Sequence, residues 1–190
     1  YFIIEEGIMF NSILDILKEK VKEGVECRVM YDDMGSLHTL PKSYAKILES
    51  YGIKAVTFNK VTPILSTIMN NRDHRKILII DGKVAFSGGV NLADEYINKK
   101  IVHGKWLDNI IRIKGKAVDS MLVTFLTNWN ALRHEDVDYR KFMVEHREKA
   151  KDGFIVPYSE TPLDFELTAQ SVYMDILNRS RTVGAHTKSV

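Results

Sequence analysis

A histidine and a lysine two residues apart carry the clearest chemistry in this sequence. His74 and Lys76 stand just before the aliphatic run 77–80, which Gly82 bounds, and such a run is typical of a short buried strand. Strand side chains alternate between two faces, so the imidazole and the ammonium project to the same side. A potential nucleophile beside a fixed positive charge suits attack on a phosphate ester.

Phosphodiesters resist attack because their negative charge repels nucleophiles. The imidazole of His74 and the ammonium of Lys76 can together overcome this resistance. A neutral imidazole at His74 can attack phosphorus and form a phosphohistidine, so that two easier displacements replace one difficult one. Lys76 would stabilise the charge that develops on the non-bridging oxygens. Asn91 can donate a hydrogen bond to the same oxygens, and the turn from Ser87 to Gly89 lets backbone approach closely.

The residues that follow make the pattern more specific. His74, Lys76 and Asp81 have the spacing His-x-Lys-x4-Asp, the signature of the phospholipase D superfamily. Residues 85–97, Ala-Phe-Ser-Gly-Gly-Val-Asn-Leu-Ala-Asp-Glu-Tyr-Ile, resemble the first catalytic motif of bacterial cardiolipin synthases. A three-residue signature arises easily by chance. The same signature followed at a fixed spacing by residues 85–97 does not. The chain is therefore identified by resemblance with the cardiolipin synthase branch of the superfamily.

The resemblance covers most of the chain and implies a fold and a reaction. Segments 24–36 and 106–130 fall where the family has similar sequences, although the family usually has a basic residue where Leu107 stands. The implied fold is α/β, with a mixed or parallel phospholipase D-like sheet flanked by helices on both faces. The implied reaction carries the phosphatidyl group of one phosphatidylglycerol on His74 to the hydroxyl of a second, giving cardiolipin and glycerol. No metal and no other cofactor is implied, because histidine and lysine supply the nucleophile and the charge.

The remaining catalytic assignments also follow from the resemblance. Asp81 belongs to the signature, but its odd offset from His74 points it to the opposite face, which favours an anchoring role. The leaving alkoxide needs a proton from a general acid, which in the family is the histidine of a second motif. His186 and Lys188 resemble the start of that motif. We expect little activity unless His186 is correctly placed or a partner chain supplies a second motif.

The two ends of the sequence lead to an expectation about domains. The chain begins on Tyr1 rather than Met, and it stops before a second motif would be complete. We expect a truncated first catalytic domain over 1–135, a charged, exposed linker over 136–153, and an incomplete second domain over 154–190. The family usually has a long stretch before the second motif. Here either that stretch is deleted, or a segment between Val183 and Gly184 is not part of this sequence, or the end is simply a polar tail.

Composition narrows the class of protein. The chain is 45% hydrophobic and 27% charged, as in ordinary globular proteins, and a net charge of +2 is too small to favour nucleic acid as a partner. The single cysteine, Cys27, excludes an internal disulfide and is expected in the core. No stretch reaches the roughly 18 apolar residues that cross a bilayer. Because cardiolipin synthases usually begin with membrane-spanning segments, we expect the parent protein at the bacterial cell membrane, with this portion peripheral or cytoplasmic.

Periodicity predicts alternating strands and helices. Asn11 is expected to cap the first helix, Asp94 and Glu95 to cap a helix that begins beside them, and the adjacent acids Asp32 and Asp33 to be solvated. Strands that alternate with helices indicate a largely parallel sheet covered on both faces. The predicted helices span 12–23, 41–50, 117–132 and 164–179, and the predicted strands span 25–31, 54–58, 74–81, 84–87, 110–113 and 154–157.

Three functions remain open at this level. In the favoured function the partners are phosphatidylglycerol and anionic membrane lipids. The lysine-rich stretch 99–106 then has two interpretations. It rests at a lipid surface with Trp106 at headgroup level, or it is an ordinary loop with Trp106 in the core. The second function is a single-motif phosphodiesterase or nuclease completed by homodimerisation, which the modest charge and the residues after Lys76 disfavour. The third is a half-domain that binds lipid without turnover.

Overall fold

Helices and strands alternate along the residues that the computed structural model describes, which are 1–61, 71–146, 154–160 and 167–182. The chain divides into two compact units, Tyr1–Phe154 and Ile155–Val190. The first unit contains α1 (Ile8–Lys22), β1 (Arg28–Asp32), α2 (Tyr44–Ser50), β2 (Lys54–Phe58), β3 (Ile77–Ile80), β4 (Val84–Gly88), β5 (Ile110–Lys114) and α3 (Ala117–Arg133), with short 3₁₀ helices at Asp94–Ile97 and Tyr139–Phe142. The second unit contains α4 (Thr168–Arg179).

The predicted α/β class is confirmed, but the sheet is not largely parallel. β1 and β2 pair in parallel, whereas β3, β4 and β5 form an antiparallel sheet in that order. The reason lies at Asp81 and Gly82, which both have positive φ, 53° and 63°, while the Lys83 N–H donates to the Ile80 carbonyl at 2.9 Å. Two consecutive left-handed residues make a tight turn that sends the chain straight back beside itself. An Asp-Gly pair between two apolar runs is the sequence signal for this hairpin.

An extended segment at the start of the chain joins the first sheet to the loop after β4. The backbone nitrogen of Tyr1 donates to Met30 at 3.0 Å, and the Asp32 N–H donates to the Tyr1 carbonyl at 3.1 Å. On its other edge, Leu92 donates to the Ile3 carbonyl at 3.1 Å. The segment therefore continues the sheet from β1 towards residues 91–92 and places Phe2 beside His74, just ahead of β3.

Helix α1 begins earlier than predicted and is capped by a different residue. It starts at Ile8, so Asn11 lies within its first turn instead of capping it. The Ile8 and Met9 N–H groups donate to the two carboxylate oxygens of Asp94 at 3.0 and 2.8 Å. These two hydrogen bonds lower the pKa of the Asp94 carboxyl. Asp94 thus caps a helix that is distant in sequence, because an acceptor can satisfy free N–H groups at a helix start wherever the fold brings it.

Helix α3 packs against both sheets and builds the core between them. Val118 and Met121 contact Ala85 and Ile113 of the antiparallel sheet, while the fully buried Trp129 belongs to a cluster that reaches Met30 of β1. Cys27 is buried in the core around α1 and α2, as predicted, and burial raises the pKa of its thiol. A cavity of about 600 Å³ lies between β1 and β3 and is lined by side chains of α1 and α3.

The segment after α3 is not the exposed linker that its charge predicts. Val137, Phe142 and Met143 pack against the cluster around Trp129. The Asn130 side chain accepts from the Val137 N–H at 3.2 Å and donates to its carbonyl at 3.1 Å. Apolar residues spaced among the charges therefore fold this stretch onto α3. Residues 147–153 lie outside the described residues, and the division into domains at 135 and 153 stays a prediction.

The second unit confirms one predicted element and corrects another. Helix α4 ends at Arg179 as predicted and begins at Thr168, with 161–166 outside the described residues. Residues 154–157 do not form a strand, since apolar alternation needs a neighbouring strand before it makes a sheet. In the described part of the chain, no helix is both long and apolar enough to span a membrane.

Replacing Asp94 with Ala should weaken the start of α1. We expect the free energy of unfolding at pH 7 to fall by about 1 kcal/mol, because two helix N–H groups lose their acceptor. The pKa of Asp94 is lower in the folded chain, so its contribution is full at neutral pH and is lost as the pH falls through the folded-state pKa. Urea unfolding at pH 7 and at acid pH measures both effects. Asp15→Ala, an exposed acid on the same helix, is the matched control, and an equal loss in both variants would contradict the capping role.

Candidate active site

β3 begins at Ile77, so His74 and Lys76 lie just ahead of this strand and not within it, contrary to the prediction of a strand over 74–81. Asp73, Arg75, Ile77 and Ile79 line the cavity between β1 and β3. Leu78 also lines this cavity, whereas His74 and Lys76 do not, which indicates that the side chains of His74 and Lys76 point away from those of Asp73 and Arg75. Arg75 donates to both carboxylate oxygens of Asp73, at 2.8 and 2.9 Å, and this ion pair occupies the cavity side. The expectation that His74 and Lys76 share one face is consistent with this arrangement.

A buried carboxylate holds the chain just ahead of His74. Asp32, at the end of β1, is only 1% exposed, and it accepts hydrogen bonds from Arg72 at 3.4 Å, the Asp73 N–H at 3.3 Å and the Gly35 N–H at 3.1 Å. Arg72 also donates to the Asn59 carbonyl at 2.7 Å. The expectation that Asp32 is solvated is therefore wrong. The partners that bury it lie 40 residues further along the chain, beyond the reach of local pattern.

The imidazole of His74 is stacked on an aromatic ring. The Phe2 and His74 rings are stacked, with centroids 3.9 Å apart and planes inclined by 18°. His74 is otherwise exposed, and Lys76 is partly buried beside it. The Lys76 ammonium donates to the His74 carbonyl oxygen and lies 5.6 Å from the centre of the Phe2 ring. The imidazole is thus fixed in orientation while one side stays open to solvent, with a positive charge on the same side of the chain.

The environment of Lys76 favours loss of its proton relative to an exposed lysine. Burial lowers the pKa of its ammonium, and the carboxylates of Asp73 and Asp108 oppose that shift. A charge in partly desolvated surroundings interacts more strongly with an approaching anion than one in water. Lys76 is therefore suited to neutralise an incoming phosphate group.

The glycines at the end of β4 permit a close approach of the chain around Asp108. A Cβ on Gly89 would collide with the Asp108 carboxylate, and one on Gly88 would collide with the Asn109 carbonyl. Asp108 is held by the Trp106 indole N–H at 3.3 Å and by the Asn109 N–H at 2.7 Å. Ser87 and Gly88 lie in strand β4 and not in the expected turn, the segment that approaches the glycines is a neighbouring part of the chain, and contact of Gly89 with a phosphate stays a prediction. Asp108 is a site residue that the sequence did not indicate. Its assignment rests on the electrostatic interaction of its carboxylate with the Lys76 ammonium.

Asn91 and Ser87 take positions that the sequence did not specify. Asn91 is 4% exposed, accepts from the Ile3 N–H at 3.0 Å and donates to the Tyr96 hydroxyl at 2.6 Å. Its amide nitrogen carries a second N–H, so donation to a phosphate oxygen stays a prediction. Ser87 pairs directly with Ile77 in the antiparallel sheet, which puts its side chain on the face opposite to Lys76. The structure therefore does not bring the Ser87 hydroxyl to the side of the strand that bears the ammonium.

Of the last three predicted catalytic residues, only Asp81 lies within the described residues, and it is not beside His74. Asp81 is exposed in the turn after β3, five residues beyond Lys76, which corresponds to roughly 16 Å along a strand. Its place in the signature is explained by the turn, which needs a residue that tolerates positive φ. His186 and Lys188 lie outside the described residues, so their catalytic roles stay predictions.

A family model and several known proteins are similar in sequence to this chain. A family model described as cardiolipin synthase, PLD-like domain, matches residues 2–129. An uncharacterized protein of Streptococcus mutans is 50% identical over 182 residues, which are 95% of this chain and 39% of that protein. Cardiolipin synthase 2 of Staphylococcus epidermidis is 38% identical over 136 residues, covering 72% of this chain and 28% of the relative. Cardiolipin synthase of Alkalihalophilus pseudofirmus is 42% identical over 131 residues, covering 68% and 26%. The chain spans between about a quarter and two fifths of the length of these relatives.

Replacing Lys76 with Met should separate anion binding from stability. We expect the affinity for inorganic vanadate to fall at least about tenfold, because a charge-assisted contact is lost. The unfolding free energy should change little at pH 7, and the wild type should gain relative to the variant as the pH rises through the lowered pKa, where the neutral amine costs less to bury. Vanadate titration and urea unfolding measure these quantities. Lys46→Met, on the exposed side of α2, is the control, and unchanged vanadate affinity in Lys76→Met would refute the assignment.

Replacing Phe2 with Leu should release the His74 ring. We expect the His74 ring-proton resonances to move downfield, since the stacked aromatic ring no longer shields them, and phosphoryl transfer to His74 to slow by about tenfold through loss of orientation. Phe2→Tyr keeps the stacking and should behave as wild type. Proton NMR, with resonances assigned through His74→Gln, gives the first readout. Resonances that stay in place in Phe2→Leu would show that the rings do not stack in solution.

Proposed function

Because the chain belongs to the cardiolipin synthase family of phospholipase D-like domains, we propose that it provides the nucleophilic half of a phosphatidyltransferase site. The substrate in this proposal is phosphatidylglycerol, and the product is cardiolipin. The observation that carries it is the arrangement just before the start of β3, where the exposed His74 imidazole stacks on Phe2 beside the Lys76 ammonium. The similarity to cardiolipin synthases supports a lipid phosphodiester over other phosphate esters as the substrate.

The reaction divides into two displacements at one phosphorus atom. In the first, the free ring nitrogen of His74 forms a bond to phosphorus while the bond from phosphorus to the glycerol headgroup oxygen breaks, and glycerol leaves with a proton. In the second, a hydroxyl of another phosphatidylglycerol attacks phosphorus, loses its proton and releases His74, giving cardiolipin. The imidazole reacts as the neutral form, since only that form has a lone pair at the attacking nitrogen.

In this proposal Lys76 stabilises the negative charge on the non-bridging phosphate oxygens. Its ammonium stands on the same side of the chain as His74, and its partly buried position strengthens the attraction to the charge that builds on those oxygens. Asn91 supports the same volume, since its side chain ties Ile3 and Tyr96 together beside the Phe2 ring that carries His74. These groups make His74 a positioned nucleophile instead of a solvated surface histidine.

The proton that the leaving oxygen takes up must come from a second group. We propose a second histidine in this role, either His186 or one contributed by another motif, which makes turnover by this chain dependent on that group. Transfer to an alcohol also requires that water be kept from the phosphohistidine. A membrane surface supplies both the lipid acceptor and a water-poor surrounding, so we place the site of action at the bacterial membrane.

Chemical trapping tests the proposal directly. Incubation with phosphatidylglycerol labelled at phosphorus, followed by rapid quenching and peptide mapping, should give acid-labile label on His74 and nowhere else. His74→Gln should abolish the label, because a glutamine amide nitrogen has no lone pair available to attack phosphorus. The matched control is His38→Gln, since His38 is an exposed histidine outside the site. Label that survives in His74→Gln, or that appears equally on His38, would exclude the proposed nucleophile.

A further inference from the structure

The loop of residues 97–107 exposes apolar side chains that a folded domain ordinarily buries. Ile101 is 80% exposed and Leu107 is 84% exposed, and Ile97 and Val102 are exposed to about four tenths or more. Single exposed apolar residues are common at protein surfaces, but several close together in one loop mark a binding surface. Leu107 also stands where the sequence pattern leads us to expect a basic residue.

Hydrogen bonds close the base of this loop, so the exposed residues are held outwards. Asn98, with a φ of 57°, donates from its side-chain amide to the Trp106 carbonyl at 3.0 Å and accepts from the Trp106 N–H at 2.6 Å. The Trp106 ring packs edge-on against Tyr96, with centroids 4.4 Å apart. Trp106 is therefore partly buried at the neck of the loop, between the two alternatives that the sequence left open for it.

The charges within the loop are all positive. Residues 97–107 contain Lys99, Lys100 and Lys105 and no acidic residue. The Lys100 ammonium pairs with Glu5 at 2.6 Å, so the outward positive field comes mainly from Lys99 and Lys105. Lysine side chains can cover apolar neighbours with their methylene stems while their ammonium groups reach anions. Apolar residues flanked by lysines, with a tryptophan at the neck, are suited to the boundary between lipid headgroups and acyl chains.

The loop is connected to the candidate active site by hydrogen bonds at both of its ends. At the start, the Tyr96 hydroxyl accepts from Asn91 at 2.6 Å. At the finish, the Trp106 indole donates to Asp108 at 3.3 Å, and the Asp108 carboxylate lies against Gly89. A surface that binds the loop is therefore held at a fixed position relative to Lys76, which immediately precedes β3.

We propose that the 97–107 loop docks this domain onto an anionic phospholipid bilayer. Ile101, Val102 and Leu107 enter the boundary of the acyl chains, and Lys99 and Lys105 contact lipid phosphates. This rests on the proposed function in one respect, since it takes the substrate of the site to be a lipid in the same surface. Charge complementarity selects the bilayer over a second copy of the chain, because two copies joined through this loop would bring their lysines together.

Vesicle binding by the 190-residue chain tests the docking surface. Sedimentation with vesicles of phosphatidylglycerol and phosphatidylcholine should show binding that pure phosphatidylcholine vesicles do not support. The double variant Ile101→Ser, Leu107→Ser should lower the partition coefficient by about tenfold or more, through loss of buried apolar area. Lys99→Gln and Lys105→Gln should each lower it about fivefold, and only on anionic vesicles.

Two further variants separate the loop from general effects. Ile16→Ser on α1 and Lys42→Gln ahead of α2 change exposed residues of the same types elsewhere and should bind as wild type. Acyl chains brominated near the headgroup should quench tryptophan fluorescence in the wild type but not in Trp106→Phe, where the buried Trp129 is the remaining tryptophan. Circular dichroism confirms that each variant is folded before binding is measured.

The outcomes distinguish this inference from the proposed function. Equal binding to both vesicle types, unchanged binding of the serine double variant, or a wild-type dimer that the double variant breaks would each overturn the docking surface. Labelling of His74 by a short-chain phosphatidylglycerol that is monomeric in solution needs no bilayer, so the loop variants should leave it unchanged. If the wild type is not labelled at His74 by this lipid, the proposed function is refuted. The vesicle experiment still tests the docking surface in that case.

Discussion

The alternation of side chains along residues 73–79 is the constraint on which the rest of the site depends. One face of this stretch supplies Ile77 and Ile79 to the interior, where α3 packs, and the other face presents His74 and Lys76. A shift by one residue would replace Ile77 and Ile79 in the interior by Leu78 and Ile80 and would also turn the Lys76 ammonium inwards, and the cost of burying that charge opposes the shift. Burial of the aliphatic face therefore fixes the register, and the register brings the two catalytic candidates to the same side.

Long-range polar contacts then hold the strand end in place. Asp32 ties the chain before His74 to the end of β1, Asn91 ties the loop after β4 to Ile3, and Asp94 ties the same loop to the start of α1. Each of these side chains satisfies backbone N–H groups that the secondary structure leaves free. Together they set Phe2 under the His74 ring, so the orientation of the imidazole depends on contacts made across the whole larger unit.

Local pattern predicted some features well and others poorly, for physical reasons. Helix α3 and the aliphatic strand β3 were predictable because their apolar periodicity matches the geometry of the element. The antiparallel pairing does not follow from the alternation of strands and helices, because strand direction depends on the turn at Asp81 and Gly82. The packing of Val137, Phe142 and Met143 against α3 does not follow from charge density, because charge density indicates a solvated segment only when no apolar residues are spaced among the charges.

The sequence by itself determined the residues able to do the chemistry, the strand that follows them, and the family to which the chain belongs, because these follow from residue type and short spacing. Only the tertiary structure decided which of them meet. It brought Phe2 and Asp108 to the site, buried Asp32, turned the Ser87 side chain away and left Asp81 in a hairpin turn. Contacts between residues far apart in the chain depend on how sheets and helices pack, and that packing is an outcome of the whole fold that no short run of residues specifies.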